Sequence, residues 1–432
     1  MRQAGVPQGT HRREIIPAVC DFGGTLELTT RDEQRPLSVG APSFMDRLGI
    51  LLAVCVGSGL AHVGTSTMPF QIGTLIDGSH RSRSQAGVFG FLEVGALALG
   101  MMLISLRVAR VSPLRFAACG CVLIGLANAG LWGSDAIYLQ MLLAVIAGLG
   151  YGLVYTAMIA GASASAQPDR IYAIGNFGAL LIIAGTMKAL PAAGKHFGPL
   201  GDFAVLAILA VIGLPFLLGF RASRPPTQLR LSAWRTPGAA GLLIAWVGFS
   251  TGGSALYSFS EQIGKKSVGL PAAQVATVLA TGVLVSLLGT AVAAILGRRL
   301  NRRLALTLGI ACCGVSCLTV GLAPSLPLYA AGMYGYWMST MFLYSYLLGT
   351  AATLDPSGRV GTLAGGLERL GNALGALLGG VVAEHMSYAA TGVLGFIGCM
   401  VGLLFGLPML FRALKARDTL APCVTADGHY RS

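Results

Sequence analysis

Gly358 to Gly380 reads GRVGTLAGGLERLGNALGALLGG. The run is apolar, rich in glycine and long enough to cross a bilayer, which takes about 20 residues of α-helix. It nevertheless carries Glu368 and Arg369 near its centre. At about 1.5 Å of rise per residue, Glu368 lies roughly 14 Å beyond Arg359, close to the bilayer midplane. Ionisable side chains at that depth cost about 2.5–3.5 kcal/mol on insertion scales, so they face a polar interior and mark a function.

The whole chain is built like this stretch. Of its 432 residues 54% are hydrophobic and only 11% charged, with a mean hydropathy of +0.71. A soluble domain with that composition would expose large apolar surfaces, so the chain reads as an integral membrane protein. Its net charge of +13 belongs to topology, with anionic lipid as the neighbour, and not to nucleic-acid binding. Cys55, Cys119, Cys121, Cys312, Cys313, Cys317 and Cys399 lie inside apolar segments. No CxxC or Cys/His metal spacing occurs, so they read as small apolar side chains, and no metal or cofactor is expected.

From Arg47 onward the apolar runs predict about twelve spans, near 47–70, 85–106, 113–132, 136–163, 171–193, 199–220, 238–260, 271–296, 304–323, 326–352, 359–383 and 389–411. Pro and Gly mark several boundaries, including Pro113, Pro199, Pro237, Pro271 and Pro327. The division is a polar arm (1–45), a six-helix half (46–220), a basic linker (221–237), a second six-helix half (238–412) and a tail (413–432). The arm has no apolar core of a signal peptide and reads as disordered. Met45 is a second natural start, so the arm's presence in the mature chain stays open. Arginines crowd the breaks after the second, sixth and eighth spans, at Arg107, Arg110, Arg115, Arg221 to Arg235 and Arg298 to Arg303. That side holds roughly two dozen basic residues against about six opposite, which puts both termini in the cytoplasm of a multi-pass cell (inner) membrane protein.

The two halves resemble each other. At an offset of about 189 residues, Gly49, Gly64 and Phe70 fall on Gly238, Gly253 and Phe259. Gln85, Gly100 and Arg110 fall on Gln274, Gly289 and Arg299; Tyr155 falls on Tyr344 and Arg170 on Arg359. Six spans, a basic linker and six more spans resemble the major facilitator superfamily of secondary transporters, over almost everything after residue 45. The family pattern G-x-x-x-D-R-x-G-R-R in the loops after spans two and eight survives in part. The second copy is Arg298, Arg299, Leu300, Asn301, Arg302, Arg303, with Arg for the Asp and Asn for the Gly; the first keeps Arg110 but has Ala109 and Ser112 at those places. The loops stay basic, while an Asp-dependent charge lock is not expected.

The resemblance implies that spans one, four, seven and ten line a central cavity, and that span two meets span eleven between the halves. Glu93, about 15 Å in from Arg83, matches the depth of Glu368. Neither acid is repeated, since Glu93 maps to Gly282 and Glu368 to Ala179. Glu93 or Glu368 is therefore a candidate to take up and release a proton, with Arg369 or water as the alternating partner; a static Glu93 to Arg369 pair is the plainer alternative. His62, in GSGLAHVGTST, is either a protonatable cavity group or a hydrogen-bonded helix histidine. Tyr334, Trp337, Met341 and Tyr344 share a face of span ten, and Tyr151 and Tyr155 stand on span four. Such rings suit planar or amphipathic organic molecules, and also suit plain packing. Gly371, Gly375, Gly379 and Gly380 read as close helix packing.

The expected function is proton-coupled transport of a small amphipathic or aromatic solute by alternating access, by a functional monomer. Efflux antiport and organic acid uptake both fit, and a non-transporting receptor or scaffold is the remote alternative. No HExxH, paired His motif or nucleotide-binding loop appears, so enzyme chemistry is not expected.

Overall fold

A break in the first span sets the architecture at the site. Helix α1 (Phe44–Ser66) gives way at Thr67 to α2 (Met68–Gly78). Pro69, in the first turn of α2, has no N–H to offer the preceding turn. At the break the Thr67 hydroxyl and its backbone N–H both donate to the Val63 carbonyl, at 2.7 and 2.8 Å, tying Thr67 to the last turn of α1. The helix therefore continues as an arm, eight residues past the predicted end at 70. Helices α3 (Arg83–Ser105), α4 (Pro113–Gly133), α5 (Ile137–Ser163), α6 (Pro168–Phe197) and α7 (Gly201–Gly213) complete the first half. A 3-10 stretch, Leu214–Ala222, extends α7.

The second half repeats the plan. Gly238, at φ +87°, starts α8 (Ala239–Tyr257) from a left-handed conformation. Like the first span, α8 breaks near its end and carries on through α9 (Ser260–Gln262) and a π-helical turn, Ile263–Ser267. Then come α10 (Ala272–Leu296), α11 (Arg302–Gly321), α12 (Leu326–Leu354), α13 (Arg359–His385), α14 (Tyr388–Val401) and α15 (Leu407–Ala426), the last two joined by a π-helical turn, Gly402–Gly406. Asn301 caps α11, accepting from the Arg303 N–H at 2.9 Å, which gives the departure from Gly a local reason.

The computed structural model describes residues 44–105, 112–163, 168–222, 236–297, 299–355 and 359–426. The N-terminal arm, most of the linker, Arg110 and Arg298 lie outside them. Every regular element among the described residues is helical, and the helices make the expected set of about twelve crossings. Ten stretches among these residues are long and apolar enough to cross a membrane. Helices α12 and α13, which carry Tyr344, Glu368 and Arg369, complete the set.

Two long contacts join the halves, α3 with α13 and α6 with α10, and the arms α2 and α9 meet at one end. Glycines set the α13 contacts. A Cβ on Gly375 would lie 2.3 Å from the Thr251 carbonyl oxygen of α8, and one on Gly87 of α3 would lie 2.9 Å from Gly380 Cα. Backbones can approach that closely only where side chains are absent.

Candidate functional site

Side chains from both halves meet at mid-depth. From α13, Arg369 Nε sits 3.4 Å from Glu368 Oε2, and Asn372 donates to Glu368 Oε1. Glu368 is 5% exposed, so the pair exists because each member neutralises the other. The Arg369 guanidinium carbon stands 5.5 Å from the Tyr155 ring centroid of α5, in the first half. Tyr155 in turn meets the His62 ring edge-on at 5.1 Å. His62 Nδ1 is bonded to the Ser58 carbonyl at 2.8 Å, which leaves Nε2 for the interior. The Ser58 hydroxyl donates to Asn176 Oδ1 of α6 at 3.3 Å. On the other flank Tyr344 lies beside Glu368, packed edge-on against Trp246 and Phe249 of α8 at 5.6 and 5.9 Å. Tyr155 and Tyr344, equivalent by repeat, therefore bracket the Glu368 and Arg369 pair.

Glu93 and Tyr151 stand elsewhere. Tyr151 is fully buried and Glu93 is 1% exposed. A Cβ on Gly64 of α1 would lie 2.5 Å from the Tyr151 ring and 2.9 Å from Glu93 Oε1, so both pack directly on the segment leading to the break. Gln71 of α2 is the other polar neighbour of Glu93. Its Nε2 donates to the Gly64 carbonyl at 2.8 Å and to Thr67 Oγ1 at 3.3 Å, bridging the break. Asn128 of α4 donates to the Tyr151 hydroxyl at 3.4 Å. Trp337 forms a third group, edge-on to Tyr257 at 5.3 Å. Tyr257 ties α8 to the first half, its hydroxyl donating to the Ser66 carbonyl at 2.5 Å.

The end opposite the basic loops is closed by charge. Asp77 of α2 receives Lys265 at 2.5 Å, Lys266 at 3.3 Å and the Gln262 amide at 3.1 Å, all from the arm of the second half. Lys265 also meets Glu261 at 3.0 Å. Burial pushes the Glu261 carboxyl up to about 7, with Lys265 pulling against it. Burial acts on Asp77 in the same sense, but the Lys265 and Gln262 bonds outweigh it and hold Asp77 below its ordinary value. A cavity of about 250 Å³ lies under these arms, lined by Thr74, Asp77, Pro191, Asp202, Glu261 and Lys265 among others. Beside it the Arg83 backbone N–H donates to Glu384 at 2.7 Å, and its guanidinium covers the Tyr388 ring at 4.3 Å. Of the basic loop motif, Arg303 rests over Phe411 at 5.6 Å; Arg299 and Arg302 lie at the same end, in and after the α10–α11 turn.

Of the candidate residues, His62, Tyr155, Tyr344, Glu368 and Arg369 come together, Glu93 joins Tyr151, and Trp337 joins Tyr257. Sequence reasoning missed Gln71 and the Asp77, Glu261 and Lys265 cluster. A signal for the cluster existed: the 189-residue offset that aligns the halves places Asp77 on Lys266, opposite charges at equivalent positions.

Three of the solved structures that share this fold illustrate the likeness. The D-xylose-proton symporter is 15% identical, with a TM-score of 0.67 over 85% of this chain and 97% of its own. A bacterial homologue of the human lysosomal transporter Spinster, inward-facing and unoccupied, is 15% identical, with a TM-score of 0.64 over 86% and 98%. The nucleoside transporter NupG is 13% identical, with a TM-score of 0.62 over 84% and 99%. No curated protein matches the sequence. The sequence profile of the Major Facilitator Superfamily matches residues 54–366. With that match over most of its length, and with the fold just described, the chain belongs to the major facilitator superfamily, a multi-pass membrane transporter and not an enzyme.

Proposed function

We propose that the protein moves a small amphipathic or aromatic organic solute across the membrane, coupled to protons, by alternating access between its halves. One observation carries this reading: a guanidinium of the second half stands over a tyrosine ring of the first, with a histidine on one flank and a carboxylate on the other. A solute held there touches both halves, so its affinity differs between the two conformations, which is what a ligand must do to shift them. Tyr155, Tyr344, Trp246 and Phe249 supply ring faces and edges, and Arg369 supplies one fork for an acceptor group. One such fork suits a singly anionic or neutral polar solute better than a phosphate ester. The buried carboxylates Glu368 and Glu93 are the proton carriers available to such a cycle.

Similar folds are named for a sugar-proton symporter and a nucleoside transporter, which agrees with polar organic solutes and with proton coupling. The basic loops support a reading with the Arg-rich end and both termini in the cytoplasm and the arms α2 and α9 at the outer face. The proposed working unit is a monomer, a reading supported by both halves, and the residues that meet between them, coming from one chain.

The test is flux in proteoliposomes under an imposed pH gradient, with a panel of radiolabelled aromatic and amphipathic compounds. We expect at least one compound to be driven by the gradient, and Arg369→Lys, which keeps the charge but loses the fork, to slow it about tenfold or more. The direction of movement with the gradient separates uptake from efflux. A panel that moves nothing, with the protein folded, would favour the scaffold reading.

A further inference from the structure

Glu93 is the least satisfied polar group among the described residues. It is 1% exposed, and neither carboxyl oxygen has a hydrogen-bond partner. Ionised, it would be a buried charge without compensation. Its surroundings supply no counter-charge. Gly64 of α1 covers Oε1, Tyr151 of α5 and Gln71 of α2 are its polar neighbours, and Asn128 of α4 stands behind Tyr151. Helix α13 also packs on α3, but its Glu368 and Arg369 engage each other. Gln71 is half satisfied in a complementary way: Nε2 is committed to Gly64 and Thr67, while Oε1 has no donor. One proton on Glu93 would satisfy an orphan acceptor and remove an orphan charge together.

We propose that Glu93 binds the coupled proton and reports it to the break in the first span through Gln71. When protonated, the Glu93 hydroxyl donates to Gln71 Oε1, and Gln71 Nε2 stays on the Gly64 carbonyl. When the halves rock and open the site to water, the carboxyl O–H bond breaks, the proton passes to that water, and the carboxylate draws Nε2 to itself. The Gly64 carbonyl then loses its partner, and arm α2, which carries Asp77, loosens from Lys265 on the other arm. The proton site is thus separate from the solute site, and the two communicate through the α1–α2 junction. This inference rests on the proton-coupled reading above. The same oxygens, with Asn128 Oδ1, could in chemistry suit an alkali cation, but the carboxyl oxygens are sealed, and a cation needs a roomier shell than a proton does.

Two measurements on the purified full-length protein in sodium-free detergent buffer test this. Infrared difference spectroscopy between acid and alkaline pH should show a protonated-carboxyl carbonyl band that Glu93→Gln abolishes. Hydrogen exchange of residues 67–78, corrected for the intrinsic rate, should lose about tenfold in protection at alkaline pH in the wild type. Glu93→Gln should keep its protection at both pH values. Gln71→Met should keep the band and lose the pH response of the segment, and it serves as the second variant should Glu93→Gln fold poorly. A band that survives Glu93→Gln, or a wild-type segment equally protected at both pH values, overturns the proposal. So does a band removed by sodium at fixed pH, which would make this a cation site. Proton-driven flux without either signal defeats the Glu93 assignment alone; both signals without flux defeat the transport reading alone.

Discussion

Gly64 shows how a residue without a side chain can be a tight position in a site. Its missing Cβ is where the Tyr151 ring and the Glu93 carboxyl reach the helix. Gly64→Ala forces one of them to move, and both are buried. Overpacking of this kind costs about 1–3 kcal/mol. The expected outcome is a lower midpoint in a thermal-stability assay in detergent, whereas Gly185→Ala, where an added Cβ meets nothing within 4 Å, leaves it unchanged. Equal loss in both would mean that helix glycines matter here only in general. The neighbouring Gln71 makes a related point about legibility. A glutamine near the end of an apolar run carries no signal of its role, because its partner is a backbone carbonyl seven residues back, exposed only by the break at Thr67. Glu93 and Arg369 were legible as buried ionisable groups, but their partners were not: a charge at a given depth fixes how far along the helix it lies and leaves its azimuth open.

At the level of elements, the crossings were readable within a few residues, since apolar length and Pro or Gly boundaries are what a bilayer demands. The arms were not. Hydropathy falls at Gln71 and Asp77, and again from Glu261 to Lys266, so a reading by apolar run stops where the helix leaves hydrocarbon, although the backbone continues. These arms give the protein a pH dependence of definite sign. Glu261 keeps its proton up to about 7 in the folded state, against an ordinary 4.5. Between those values the folded chain binds more protons than the unfolded one, so this group's contribution to stability falls as pH rises through the window and is level above it. Asp77, held below its ordinary 3.8, acts only in stronger acid, where its contribution is lost. A thermal midpoint that declines from pH 5 to about 7.5, and a Glu261→Gln variant whose profile is flatter, are the expected results. A midpoint that stays level over the same interval would show that the Lys265 pairing, and not burial, governs Glu261.

For the molecule as a whole, closure at one end is electrostatic, while the middle of the long α3 to α13 contact is made backbone to backbone. Asp77 faces Lys265 and Lys266, so Asp77→Lys places three like charges in one gap and should part the arms. Trypsin cleavage after Lys265 or Lys266 in the native protein should then quicken several-fold, and high salt should reduce the difference between variant and wild type. No change in cleavage would mean that Tyr257 and the neighbouring helices hold this end without the charges.

Beyond the Arg83 bonds to Glu384 and Ala383 at its arm end, the α3 to α13 contact is of another kind. Gly87 and Gly380 meet backbone to backbone, with Ala376 alongside and no large side chain reaching across at that point. Interlocked side chains give a contact a register, and leaving one register for the next means lifting every tooth from its notch. A smooth contact has no teeth. The two halves can roll on this line as on a bearing, keeping most of their van der Waals contact throughout, so the energy that separates one conformation from the other is concentrated at the charged arms and the central pair, where ligands and protons can act on it.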